Sequence, residues 1–143
     1  MALLPSFSRD PLMPVRIMLG LLYLPHWFYK ILRMEASARF FESGGFHPGT
    51  FFLYVALVME IACAIGFIFN IQTKWLGLVS AGVMGFAGIA VFNTKGVGWL
   101  WNLGGVEYLF FWGFCSVVVA ADAWRREWQV NGKLSLFGTP RYA

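Results

Sequence analysis

FFLYVALVMEIACAIGFIF, residues Phe51 to Phe69, is the stretch from which the fold is read. It holds nineteen residues and a single charge, Glu60, near its middle. At about 1.5 Å per residue, a helix of this length spans roughly 28 Å, close to the roughly 30 Å hydrocarbon core of a bilayer. Glu60 then falls near the midplane, where an ionised carboxylate costs on the order of 3 kcal/mol. A side chain carrying that cost needs a partner or a proton. The polar residues of the other apolar segments are the candidates to supply it.

The whole chain has the composition of an integral membrane protein. Its 143 residues are 59% hydrophobic, 19% aromatic and 13% charged, against about 25% charged in ordinary soluble domains. Mean hydropathy is +0.64. The length suits one domain. The formal charge of +4 reads as membrane topology, because no basic cluster is interleaved with aromatics for base stacking; nucleic acid is excluded as a partner. Cys63 and Cys115 lie inside apolar runs and read as buried thiols, with no metal motif. The first apolar run starts late and contains Arg16, so no cleavable signal is expected.

Around the central stretch the chain divides into four apolar segments. The expected fold is an all-α, antiparallel four-helix membrane bundle forming one domain. Its helices are expected near residues 15–32, 50–69, 74–92 and 106–123, followed by a short interfacial tail. In the first helix Arg16, Gly20, Tyr23, Trp27 and Lys30 recur at three- and four-residue steps, which places them on one inward polar face. His26 lies one position off that stripe, and Pro25 weakens the helix beside it. Met34 to Glu42 reads as a short amphipathic helix, and His47-Pro48-Gly49 as the turn into the second span. In the third helix Gly77, Ala81, Gly85 and Gly88 form a small-residue seam, expected to pack on a neighbour. Glu107 falls in the first turn of the fourth helix, where the helix dipole favours an acid. Trp124 and Trp128, four apart with Arg125 and Arg126 between them, read as a separate interfacial helix.

With four spans both termini share a side. That side holds Arg9, Arg16, Lys74, Arg125, Arg126, Lys133 and Arg141, against Lys30, Arg33, Arg39 and Lys95 opposite. Seven basic residues against four place both termini in the cytoplasm of an inner-membrane protein. The outer half of the bundle then gathers His26, Lys30, His47, Lys95, Glu107 and Tyr108, with Glu60 below them. On the inner half Arg16 and Asp122 are expected to pair.

This arrangement resembles the DoxX family of small four-helix membrane proteins. The resemblance runs from about Val15 to Gly138. It is carried by RIMLGLLYLPHWFYKIL, FFESGGFHPG, the Glu60 helix with Gly66, and GGVEYLFFW. The C-terminus departs: family members often end in a Ser-Leu-Asp segment, whereas Phe137 follows Ser135 and Leu136 here. The resemblance implies a respiratory context, since the family includes a subunit of thiosulfate:quinone oxidoreductase.

Two readings compete. In one, the chain is an accessory or assembly subunit of a respiratory or dehydrogenase-type oxidoreductase complex, in contact with lipid and partner subunits. In the other, it is itself the quinone-reducing or quinol-oxidising subunit. A quinone needs an apolar slot, hydrogen-bond donors at its carbonyls and a proton route. Tyr23, His26, Lys30, Glu60, Glu107 and Tyr108 are the candidate quinone or lipid site, with Glu60 and Glu107 the candidate proton carriers. No residue is assigned as catalytic. Glu60 is expected to meet Tyr23 or His26, and Lys30 to meet Glu107. The chain has two histidines, no Cys cluster and no Gly-rich nucleotide fingerprint, so it is expected to bind no redox cofactor alone. A transporter fits less well, because four helices without an inverted repeat make a poor alternating-access machine.

Overall fold

A computed structural model describes residues 10–137. Arg9, Arg141 and the end of the family resemblance at Gly138 lie outside the described residues. The described chain is all-α. It has five α-helices: α1 (Met13–Leu32), α2 (Met34–Ser43), α3 (Gly49–Phe69), α4 (Thr73–Lys95) and α5 (Glu107–Asn131), with a 3-10 turn at Trp101–Leu103.

Two helices are long and apolar enough to cross a membrane. These are α3, with mean hydropathy 2.4, and α4, with 1.9. The outward faces of the long helices are apolar as well: Leu22 and Phe28 on α1, Val58 and Ile65 on α3, Phe86 on α4, and Phe110 and Phe114 on α5 are all exposed. Side chains of this kind laid over every long helix form a far larger apolar surface than a soluble monomer carries.

Contacts set the direction of each helix against its neighbours. Arg16, near the start of α1, donates to the carbonyls of Phe67 and Ile68 at the end of α3. Trp27, further along α1, donates to the Leu57 carbonyl at 3.1 Å. The two helices therefore run antiparallel. The tight turn between α3 and α4 uses left-handed Asn70 and Gln72, and Ile71 N–H closes on the Gly66 carbonyl at 2.9 Å. Across α4 and α5, Lys74 meets Glu127 and Ser80 meets Ser116, again antiparallel. Gly77 makes that second crossing close: a Cβ there would stand 2.6 Å from the Ser116 carbonyl oxygen and 2.7 Å from Ala120 Cβ. The core between the long helices holds Leu19, Tyr23, Cys63, Phe67, Met84, Trp112 and Val119.

α2 is pinned across one end of this core. Gly49 N–H donates to Glu42 Oε1 at 3.3 Å, and Asn93 Nδ2 donates to the Gly44 carbonyl at 2.8 Å.

Three expectations are corrected. The small-residue seam of α4 is split: Gly77 is buried, but a Cβ on Gly85 or Gly88 would meet nothing within 4 Å. The packed face instead runs through Thr73, Gly77, Ser80, Met84 and Val91, a phase that places Gly85 outside. The C-terminal aromatics do not form a separate helix, since α5 continues unbroken to Asn131 and ends at left-handed Gly132. Arg16 pairs with Asp10 at 3.0 Å, whereas Asp122 accepts from Arg126 Nε at 2.8 Å and Arg125 at 2.7 Å. Asp10 lies between the two groups, with Arg126 at 3.5 Å.

Candidate functional site

A cavity of 520 Å³ opens among the helices. α1 contributes Tyr23, His26 and Lys30; α3 contributes Glu60; α5 contributes Tyr108 and Trp112. Most of the remaining wall is apolar, including Phe40 and Phe41 of α2, Phe46, Phe52 and Phe86.

Glu60 is the buried acid of this wall, with its side chain 7% exposed. Its partner is Lys30, whose Nζ donates to Oε1 at 2.8 Å and Oε2 at 3.0 Å. This corrects the expected pairings of Glu60 with Tyr23 or His26 and of Lys30 with Glu107. The cause is the direction of helical side chains, which lean toward their own N-terminus. In antiparallel α1 and α3, Lys30 leans back along α1 while Glu60 leans toward the start of α3. The two lean toward each other and close an axial offset that Cα positions alone would leave open.

Tyr23 has a different partner. Its hydroxyl lies 2.6 Å from Ser80 Oγ, and Ser80 Oγ lies 2.8 Å from Ser116 Oγ. Ser116 in turn donates to the Trp112 carbonyl at 2.9 Å. The chain of hydroxyls therefore ends on a backbone acceptor that has no proton to pass on. It ties α1, α4 and α5 together.

His26 packs edge-on against Trp112, with ring centroids 5.6 Å apart, and Tyr23 approaches the same indole at 4.8 Å. The ring of Trp112 thus holds two of the polar side chains of the wall in place. Sequence reasoning missed Trp112, Ser80 and Ser116, since none breaks the apolar pattern of its helix. Glu107 stands apart from the cavity: it is half-buried at the start of α5, and its Oε1 accepts from Trp101 N–H at 3.2 Å. His47 and Lys95 are exposed and outside the cavity. Of the two histidines, two lysines and two acids expected to converge, the cavity brings together His26, Lys30 and Glu60.

Chemically the site is an apolar chamber with one closed ion pair and five side chains, His26, Tyr29, Ser37, Tyr108 and Trp112, whose polar atoms make no protein hydrogen bond among the described residues. It can take an apolar molecule and donate hydrogen bonds to it.

An all-α chain with two membrane-length helices, apolar outer faces and an ion pair buried beside an apolar chamber is a helical membrane protein. It belongs to the DoxX family, whose model matches residues 12–93, more than half of the chain. That match covers α1 to α4 as far as Asn93 and so includes Tyr23, His26, Lys30 and Glu60. No curated protein and no solved structure matches the chain.

Proposed function

We propose that this DoxX-family chain is a four-span inner-membrane subunit of a respiratory or dehydrogenase-type oxidoreductase complex. Both termini face the cytoplasm, and α1, α3, α4 and α5 are the spans. Its role is to assemble with redox-carrying partners and to hold a quinone or lipid in the cavity. It is an accessory subunit, and electrons come from another chain.

One observation carries this reading: the bidentate Lys30–Glu60 pair at the wall of an apolar cavity. A midplane acid already closed on a lysine fixes the register of two helices and leaves the surrounding apolar space for a membrane-dissolved occupant.

The experiment is isolation of the complex from native membranes in mild detergent, with wild-type chain and with Glu60→Gln. The expected result is a haem- or flavin-bearing partner with the wild type, and an assembled Glu60→Gln complex that keeps most of its quinone-linked turnover. Loss of turnover in a fully assembled variant would move Glu60 into the catalytic chemistry. Isolation without any redox partner would remove the oxidoreductase assignment.

A further inference from the structure

Among the described residues, only two side chains of fixed charge line the cavity, Lys30 and Glu60. They cancel, and both carboxylate oxygens are engaged by one ammonium at 2.8 and 3.0 Å. An ammonium has three donors. Two go to Glu60, and one is left for a guest.

We infer that Glu60 determines the charge class of the ligand: by neutralising Lys30 it makes the cavity a receptor for uncharged amphiphiles and shuts out acidic ones. The inference rests on the reading of this cavity as a site for a membrane-dissolved molecule. An anionic head placed here would have to share Lys30 with a carboxylate that already holds it. The rest of the wall is mainly aromatic and aliphatic, and an ion left there without a partner of its own is strongly disfavoured. A neutral head bearing a carbonyl or hydroxyl oxygen meets no such conflict. It can accept from the spare Lys30 donor, His26 or Tyr108, while its body lies against the phenylalanines. The 520 Å³ volume falls in the range of pockets that enclose a ring-sized head with part of a tail. A redox ring and a neutral lipid share this chemistry.

The test uses the purified full chain in a non-ionic detergent and three probes: oleyl alcohol, oleate and decylubiquinone. The first two differ in head charge and share a tail. Calorimetric titration of the wild type should show oleyl alcohol binding at least about tenfold tighter than oleate, the scale on which one charged hydrogen bond counts. Glu60→Gln should free Lys30 and raise oleate affinity by about tenfold or more. Glu60→Gln combined with Lys30→Gln should return selectivity to the uncharged head. Decylubiquinone binding tighter than oleyl alcohol would identify a ring-headed ligand, and the reverse a neutral lipid; either supports the inference. Wild type binding oleate as tightly as oleyl alcohol overturns it without any variant, as does an unchanged oleate affinity in folded Glu60→Gln. A wild type that binds none of the three probes refutes the cavity reading itself, and the inference with it.

Discussion

Replacing Lys30 by methionine tests whether the buried pair organises the helices. The change keeps the length and most of the apolar stem, and removes only the ammonium that holds Glu60 at 2.8 and 3.0 Å. Glu60 is then a buried carboxylate without its cation. Removing one partner of a buried pair costs about 3–5 kcal/mol. The relief open to the variant is protonation. Lys30→Met should therefore destabilise by about 3.5 kcal/mol, at the lower end of that range. At about 3 °C per kcal/mol, thermal unfolding in detergent should drop by roughly 10 °C. Adding Glu60→Gln to Lys30→Met should recover most of the loss, because the unpaired acid is gone. A single variant melting with the wild type, or a double variant no better than the single, would refute the argument.

Gly77→Ala should destabilise by about 1–3 kcal/mol through collision with α5, whereas Gly85→Ala should be neutral or gain up to about 1 kcal/mol of helix propensity; paired melting curves check both. Trp27→Phe should lose about 1 kcal/mol with its hydrogen bond to Leu57, again read by melting. Glu127 is buried at the cytoplasmic end of the proposed bundle, where it accepts from Lys74 at 2.7 Å and from Ser135 N–H and Oγ at 2.9 and 2.8 Å. These bonds hold the segment after α5 against its last turns. Glu127→Ala should therefore speed tryptic cleavage after Lys133 at neutral pH. Cleavage at the wild-type rate would contradict the hold of Glu127 on Ser135.

Much of this was legible in the sequence. The central stretch is apolar over a membrane length, and its one charge marks the place where structure and chemistry meet. The stripe from Arg16 to Lys30 reads as inward because Tyr23 and His26 have no use on a lipid face; Tyr23 is buried, whereas His26 is exposed at the cavity wall. What stayed hidden depends on side-chain reach and on helix phase. Lys30 lies too near the span end to be assigned to Glu60 from Cα depth, yet both side chains lean into the gap. Gly85 and Gly88 share a periodicity with Gly77, and small size alone does not say which of them faces a neighbour. Ser80 and Ser116 sit in apolar runs, where small hydroxyls that meet across helices, with Ser116 also bonding back to its own helix, leave no trace in the pattern. The return of Ser135 to Glu127 was illegible for another reason: Ser135 follows a helix-ending glycine, and nothing local shows that the chain folds back.

The central claim is that the cavity holds a quinone or lipid within an oxidoreductase assembly. Ala56 lines the cavity on α3 and carries no hydrogen bond to the pair, so Ala56→Phe fills the space and leaves Lys30 and Glu60 in place. The decisive measurement is mass-spectrometric quantification of extractable quinone and lipid in the complex isolated from native membranes, wild type against Ala56→Phe. The account predicts a bound molecule near one per chain in the wild type, and its loss from an Ala56→Phe complex that still contains its partner subunits. The same content in both, or none in the wild type, would contradict it.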